Sequence, residues 1–228
     1  MSEPLPAGEE KARTVRGMFD RVAPRYDLVN RVMTFGMDVG WRRRAVRELH
    51  LPPGSLVLDL ACGTGDLCRE LERGGYRAVG VDFSLEMLRA AKTAAPLAQA
   101  DILRLPFGDA RADGATCGFA LRNVVSLEEL FAELGRVVRP GGAVSLLDAS
   151  RPDNRVLRAG HAVYFEKVVP VIGGVLSDRA AYRYLPRSMA YLPPTSEMVA
   201  MLRRAGFPSI RRLQLSGGIA QLFVGTRA

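Results

Sequence analysis

The sequence predicts an α/β fold: a mostly parallel sheet wound with helices and finished by an antiparallel hairpin. Three observations carry this. From residue 56 onward, apolar runs of strand length alternate with stretches of helical periodicity, which implies parallel strands joined by right-handed crossovers. The run LVLDLACGTGDL, residues 56–67, sets a glycine-rich turn between a strand and a helix. Near the end, two strand-like runs are joined through Gly217-Gly218, a link short enough to force an antiparallel return.

The elements follow in order. Residues 1–12 are expected to be disordered, and residues 13–50 to form a helical lead-in. There Val15, Met18, Phe19 and Val22 share one face at helical spacing. Pro24 interrupts, a second helix runs from about Asp38 to His50, and Pro52-Pro53-Gly54 ends the segment. The domain proper is expected over 51–228. Its strands read as 56–60, 78–82, 97–101, a weaker 114–119, 143–148 after the Pro140-Gly141-Gly142 turn, 209–215 and 219–225. Its helices read as 65–73, 84–93, 126–138 and 197–205, with Ser84 and Ser126 placed as N-caps. Residues 150 to about 195 break the rhythm and read as a mostly helical insertion over the site, rich in Arg151, Tyr164, Phe165, Tyr182, Tyr184 and Tyr191. Within it VVPVIGGVL, residues 168–176, is broken by Pro170 and a Gly pair and reads as a buried or interfacial loop.

With 228 residues, 48% of them hydrophobic, the chain can bury one substantial core. Its net charge is +8, and lysine occurs only at 11, 92 and 167, so the positive charge is nearly all arginine. Such a balance suits an anionic surface (nucleic acid, lipid headgroups, an acidic substrate) or a plain solvated basic face. Cys62, Cys68 and Cys117 are odd in number and lack metal spacing, so neither a disulfide framework nor a metal site is implied, and a reducing cytoplasm is the expected compartment. The first residues, MSEPLPAGEEKAR, do not read as a signal peptide, and no stretch approaches the ~18 apolar residues of a membrane span.

The glycine turn carries the first chemistry. Gly63 and Gly65, with Thr64 between them, let the backbone approach a ligand that a Cβ would repel, and the following helix start offers free N–H groups. Asp82 closes the run AVGVD, with Phe83 after it, so the second strand ends in a carboxylate able to accept both hydroxyls of a ribose. Asp59 stands before the glycines. It would repel the pyrophosphate of a dinucleotide and favour an ammonium and a sulfonium, which points to S-adenosyl-L-methionine. The alternative is that Asp59 only caps the strand–loop turn.

Beyond these residues the chain resembles the ubiquinone/menaquinone biosynthesis C-methyltransferases, from about residue 18 to the end. The pieces are MFDRVAPRYDLVN at 18–30, GMDVGWRRR at 36–44, LDLACGTGDL, VDFSLEML, ADILRLPF, FALRNV at 119–124, RVVRPGG at 136–142, SDRAAYRYLPRS at 177–188 and GGIAQLFVGT at 217–226. The glycine motif fits any class I methyltransferase; YDLVN, ALRNV and YRYLPRS are far more specific. Ala120, Gly118 and Asp148 depart from the family's usual Gly, Ser and Glu. The resemblance implies the Rossmann-like, seven-stranded sheet of class I S-adenosylmethionine-dependent methyltransferases. It implies C-methylation of a reduced prenylated quinone ring, demethylmenaquinol first among candidates. Asp101, Ile102 and Gly118 are then expected beside the cofactor. Arg122 is expected to polarise the substrate oxygen or a water, stabilising the oxyanion because an arginine stays protonated, with Asn123 next to it and Tyr26 bonding the same oxygen. A structural ion pair from Arg122 to Asp148 is the competing reading.

Other features weigh less. His50 and His161 lack partners at motif spacing and read as surface or packing residues. Trp41 with Arg42-Arg43-Arg44 reads equally as a solvated helix face and as an interfacial anchor for a protein handling a lipid-tailed substrate. Tyr182, Tyr184 and Tyr191 read as lining of a tail groove or as a packed cap. The expected partners are a lipophilic prenyl-quinol, an anionic membrane contacted peripherally, and a second copy in a homodimer; nucleic acid is not expected. Two other functions fit parts of the sequence: a C- or O-methyltransferase of an aromatic natural product, and a non-catalytic cofactor-fold or nucleic-acid-binding protein.

Overall fold

A computed structural model describes residues 7–228, leaving aside the side chains of Glu166, Val175, Arg179, Ala180, Tyr182, Arg183 and Leu185. Residues 1–6 of the stretch expected to be disordered, and the Tyr182 side chain expected in a groove, lie outside what is described. The lead-in holds α1 (Gly8–Val22), α2 (Tyr26–Met33) and α3 (Met37–Arg47). The sheet strands are β1 (Leu56–Leu60), β2 (Arg77–Asp82), β3 (Leu97–Gln99), β4 (Ala112–Gly118), β5 (Val138–Ala149), β6 (Arg211–Leu215) and β7 (Ala220–Thr226). Helices α4 (Asp66–Arg73), α5 (Leu85–Arg89) and α6 (Leu127–Val137) connect the parallel strands. The insertion holds α7 (Arg155–Val163), α8 (Val169–Leu176) and α9 (Arg179–Ser188), and α10 (Thr195–Arg204) returns the chain to the sheet.

The strand order is β3-β2-β1-β4-β5-β7-β6, with β7 antiparallel to both β5 and β6. Strand order reverses beside β1, whose neighbours are β2 and β4. Such a reversal opens a crevice at the carboxyl ends of the strands, which is where the site lies. The central strands are buried on both faces because helices cover both, hence their continuous apolar runs. One face packs Leu58 and Leu146 against Leu130, Phe131 and Leu134 of α6 and Leu202 of α10. The other packs Val57, Leu147 and Leu222 against Trp41 and Ala45 of α3 and Cys68 and Leu71 of α4. A third, smaller core joins the lead-in to the insertion through Met18, Val22, Val29, Met33, Val169 and Ala181.

Both expected caps form: Ser84 Oγ accepts the Met87 N–H at 3.1 Å and Ser126 Oγ the Glu129 N–H at 3.2 Å. Four local expectations need correction. Helix α1 begins at Gly8, so residues 8–12 are helical; Glu9 and Glu10 favour the helix start, and buried Lys11 donates to the Val124 carbonyl at 2.6 Å. Helix α5 stops at Arg89 because the chain turns back, the Lys92 N–H reaching the Thr64 carbonyl at 3.0 Å. Strand β5 starts at Val138, and the Pro140-Gly141-Gly142 turn is absorbed as an irregularity: Ala112 pairs with Val138 while Gly114 pairs with Ala143. The stretch expected as a loop at 168–176 is helical: α7, a π-helical turn over Tyr164–Val168 and α8 follow one another without a break, and the wider turn just before Pro170 lets the chain stay helical through it.

Candidate active site

The turn after β1 is left-handed at Ala61, Gly63 and Gly65 (φ 52°, 54° and 81°). At Gly65 a Cβ would sit 2.8 Å from Thr93 Cγ2, so only glycine fits there. Asp82 is 4% exposed at the end of β2. Its Oδ2 accepts the Gly63 N–H and its Oδ1 the Ser84 N–H, both at 2.8 Å. Burial pushes the carboxyl up, and the N–H bonds from Ser84, Gly63 and Phe83 oppose that rise. These bonds hold the carboxylate at the edge of a cavity of about 110 Å³ and leave lone pairs for two neighbouring hydroxyls. Gly63, Phe83, Asp101, Ile102 and Gly118 line the same cavity. A Cβ at Gly118 would come within 2.7 Å of Leu67 Cδ1.

The lead-in covers this cavity with Val15, Phe19 and Tyr26. Polar ties hold the cover down. Ser84 Oγ donates to Asp20 and Thr64 Oγ1 to Asp27, each at 2.5 Å. Arg31 bridges Asp38 at 2.7 Å and Asp66 at 3.4 Å, while Arg42 pairs with Asp38 and reaches Asp66 at 3.3 Å. Burial disfavours the Asp38 carboxylate, yet Arg42, the Thr34 hydroxyl and Arg31 together hold it below the usual carboxylate range.

A second cavity of about 410 Å³ adjoins the first, and Phe19, Tyr26, Phe119 and Asn123 line both. It is walled mainly by apolar side chains, among them Met18, Met33, Phe165 and Val169. Four buried side-chain atoms lack a hydrogen-bond partner among the described residues: Arg122 Nε, Asn123 Oδ1, His161 Nε2 and Tyr184 Oη. All four residues line this cavity. Arg122 and Asn123 stand in a single turn just beyond β4, Leu121–Asn123. The Arg122 guanidinium pairs with buried Asp148, which also accepts the Arg122 N–H at 3.1 Å. Burial raises the Tyr26 phenol and pushes Tyr184 up to about 12. At the outer rim Val156 is 80% and Phe35 76% exposed.

This is a small cavity with the carboxylates of Asp82 and Asp101 on an otherwise apolar wall, at a sheet switch point and next to a larger apolar chamber. A model of the ubiE/COQ5 methyltransferase family matches residues 7–227. The chain belongs to the ubiE/COQ5 methyltransferase family. It is 42% identical over 222 residues to the ubiquinone/menaquinone biosynthesis C-methyltransferase UbiE of Syntrophotalea carbinolica, covering 93% of this chain and 94% of that one. It is 40% identical over 231 residues to the demethylmenaquinone methyltransferase of Roseiflexus castenholzii, covering 98% and 97%. Among solved structures, an S-adenosylmethionine-dependent methyltransferase of Thermotoga maritima superposes with a TM-score of 0.67 at 21% identity over 93% of this chain and 99% of that one. Phosphoethanolamine N-methyltransferase 2 of Haemonchus contortus, solved with S-adenosyl-L-methionine, gives 0.60 at 13% identity over 82% and 52%. At those identities the likeness is one of fold. Membership of the family makes this chain a methyltransferase, and the non-catalytic alternative is set aside.

Within this ubiE/COQ5 member the residues singled out in the sequence divide. Gly63, Asp82, Phe83, Asp101, Ile102 and Gly118 line the small cavity, Tyr26 and Asn123 line both, and Arg122 lines the large one. Thr64 and Gly65 shape the turn without lining either cavity: Thr64 faces Asp27, and Gly65 lets the turn pass close to Thr93 and Ala91 in the segment after α5. Asp59 is corrected. It is 1% exposed, its oxygens accept from Thr116 Oγ1 at 2.8 Å and Cys68 Sγ at 3.4 Å, and it lines neither cavity. Trp41 and Arg42 are also buried, Trp41 Nε1 donating to Ser216 Oγ at 2.8 Å, so neither is a surface anchor. Arg43 and Arg44 are exposed but face Glu70 at 3.4 Å and Glu48 at 2.6 Å. His161, read from the sequence as surface or packing, stands in the chamber wall. Phe19 and Phe119, between the cavities, belong to the MFDRVAPRYDLVN and FALRNV pieces, but neither was singled out as a site residue.

Proposed function

We propose that this chain methylates a ring carbon of a reduced, prenylated quinone, with demethylmenaquinol as the substrate. The observation that carries the reading is the meeting of the two cavities at Phe19, Tyr26, Phe119 and Asn123. A small cavity that carries two carboxylates, Asp82 and Asp101, adjoins a larger and mainly apolar chamber whose wall includes Arg122, Asn123 and Tyr184. The relatives named for demethylmenaquinone and for ubiquinone/menaquinone C-methylation support the same substrate class.

The cofactor fits the residues present. Asp82 is positioned to accept both ribose hydroxyls, Asp101 and Ile102 to flank the adenine, and Gly63 and Gly118 to leave room for the remainder. When bound, S-adenosyl-L-methionine supplies an electrophilic methyl carbon. The protein must then present an electron-rich ring carbon in line with it. Arg122, fixed by Asp148, stabilises negative charge on the ring oxygen, and Tyr26 and Asn123 bond the same edge of the ring. The apolar walls exclude water, which strengthens those interactions and fixes the approach.

The prenyl tail leaves through the rim. Phe35, Met37, Val156 and Leu157 are exposed there, and Leu28, Val32, Val163 and Val171 extend apolar surface along α2, α7 and α8. Arg155 and Arg158 are exposed on α7 beside Val156 and Leu157. Apolar side chains flanked by arginines suit an anionic bilayer, from which the tail is drawn.

The test is an anaerobic assay of one prenylated quinone with and without dithionite. Methyl transfer to carbon is expected only for the pre-reduced substrate, because the oxidised ring is electron-poor. Equal rates on the oxidised form would refute the mechanism, and methyl on oxygen would move the chain to the O-methyltransferase alternative.

A further inference from the structure

Between β3 and β4 the chain forms neither helix nor strand from 100 to 111, although it must cross from the sheet edge past β2 and β1. This stretch begins with the ADILRLPF piece. Its first residues face the site: Asp101, Ile102 and Leu103 line the small cavity. Holding so long an irregular loop in one shape costs conformational entropy, so other groups must secure it. At its start the Ala100 N–H reaches the Asp82 carbonyl at 3.1 Å. Next, Asp101 Oδ1 accepts the Leu103 N–H at 2.9 Å, while Oδ2 takes no hydrogen bond among the described residues.

The rest of the hold comes from two side chains one turn apart on α6. Leu105 is buried, and Glu133 Oε1 accepts its N–H at 2.6 Å. Arg136 donates to the Leu105 carbonyl at 3.2 Å and the Phe107 carbonyl at 2.8 Å, and pairs with Asp109 at 2.8 Å. The Arg136 carbonyl accepts the Ala110 N–H at 2.8 Å. Glu133 and Arg136 also bond each other, through Nε at 2.8 Å and Nη2 at 2.6 Å. Arg136 holds the Glu133 carboxyl below its usual range against the effect of burial, and the Leu105 N–H helps. Neither side chain lines either cavity.

We propose that Glu133 and Arg136 are positioning residues for the adenine end of the cofactor: by holding residues 105–110 they aim Asp101 and Ile102 at the base, and so set the preference for adenine. The proposal rests on the cofactor placement given above. There the Asp101 carboxylate accepts from an exocyclic amino group, which adenine carries and hypoxanthine lacks. Hypoxanthine puts a carbonyl in that place, and a carbonyl facing a carboxylate leaves both without a donor. Such discrimination depends on where the acceptor stands. A loop released at Leu105 loses it, while Asp82, held separately by the Gly63 and Ser84 N–H groups, keeps its grip on the ribose. The mark of the clamp is therefore a change in base preference, which lost stability alone does not produce.

The probes are S-adenosylhomocysteine and S-inosylhomocysteine, which carries hypoxanthine, with binding to the full chain measured by calorimetry. The wild type is expected to prefer the adenine form by about tenfold or more. Glu133→Ala is expected to lose most of that preference. The control is Asp113→Ala at the amino ends of β1 and β4. Asp113 likewise accepts a backbone N–H, that of Leu56 at 2.7 Å, and pairs with an arginine, Arg139 at 2.6 Å. This variant loses comparable bonds and is expected to keep the preference. Should Glu133→Ala not fold, Arg136→Lys decides. It keeps the charge but lacks the fork that reaches the Leu105 and Phe107 carbonyls together, and is expected to lose most of the preference too. A folded Glu133→Ala or Arg136→Lys with the wild-type preference would overturn the proposal, as would an Asp113→Ala that loses it equally. If the wild type does not tell the two ligands apart, the placement of adenine beside Asp101 falls and this proposal with it.

Discussion

Asp59 offers the sharpest test of the packing beneath the site. It sits in the middle of the sheet, bonded to Thr116 and Cys68, and burial pushes its carboxyl from 3.8 up to about 7 against the lowering effect of those bonds. In the unfolded chain it ionises at its ordinary value. The native state therefore holds the proton more tightly, and the resulting stability is present below pH 3.8 and lost as pH rises through about 7. A shift of about three units at about 1.4 kcal/mol each makes this loss about 4 kcal/mol. Asp59→Asn keeps the shape: the amide oxygen accepts from Thr116 and the amide N–H faces the Cys68 sulfur. It removes the ionisation. Urea unfolding across about pH 5 to 8 should show wild-type stability falling by several kcal/mol from this group, and the Asn variant losing that slope and surpassing the wild type at the alkaline end. Since Asp59 lines neither cavity, the variant should also bind S-adenosylmethionine almost as well as the wild type. An unchanged slope, or an Asn variant weaker than the wild type at pH 8, would refute the reasoning.

Three further outcomes are expected. Asp82→Ala removes a buried carboxylate whose bonds to hydroxyls are worth about 1.5–3 kcal/mol each, so calorimetry should show at least tenfold weaker S-adenosylmethionine binding. Arg122→Ala should lower kcat strongly with cofactor affinity nearly intact, and lysine should rescue poorly for want of the planar fork; lost thermal stability with kcat preserved would favour the purely structural pair with Asp148. Phe35→Ser with Val156→Ser should weaken co-sedimentation with anionic liposomes, as should rising salt at about 1 kcal/mol per nearby arginine, whereas neutralising Arg43 and Arg44 should matter little; unchanged sedimentation would place the membrane contact elsewhere.

What the chain revealed by itself was local or repetitive. The strand–turn–helix at 56–67, the serine caps at 84 and 126 and the carboxylate closing β2 each depend on residues a few positions apart, and each stands where the pattern placed it. Alternating periodicity was enough for the parallel sheet, and two glycines for the final hairpin. Tertiary structure decided what distant residues do to one another. Asp59 belongs to the glycine motif by position, but Thr116, 57 residues away on the neighbouring strand, donates to one of its oxygens, and it lines neither cavity. Arg42 stands in a run that reads as exposed, yet Asp38 and Asp66 draw it inside. The 168–176 run looked broken because Pro170 weighs against helix, yet a π-helical turn over Tyr164–Val168 carries the helix into it, and packing of Val169 on the lead-in holds it there. His161 carries no motif at all; only the fold of the insertion over the sheet brings its helix to the rim of the chamber. A side chain's partners across the fold set its burial and its charge, and those partners are invisible to any window of neighbouring residues.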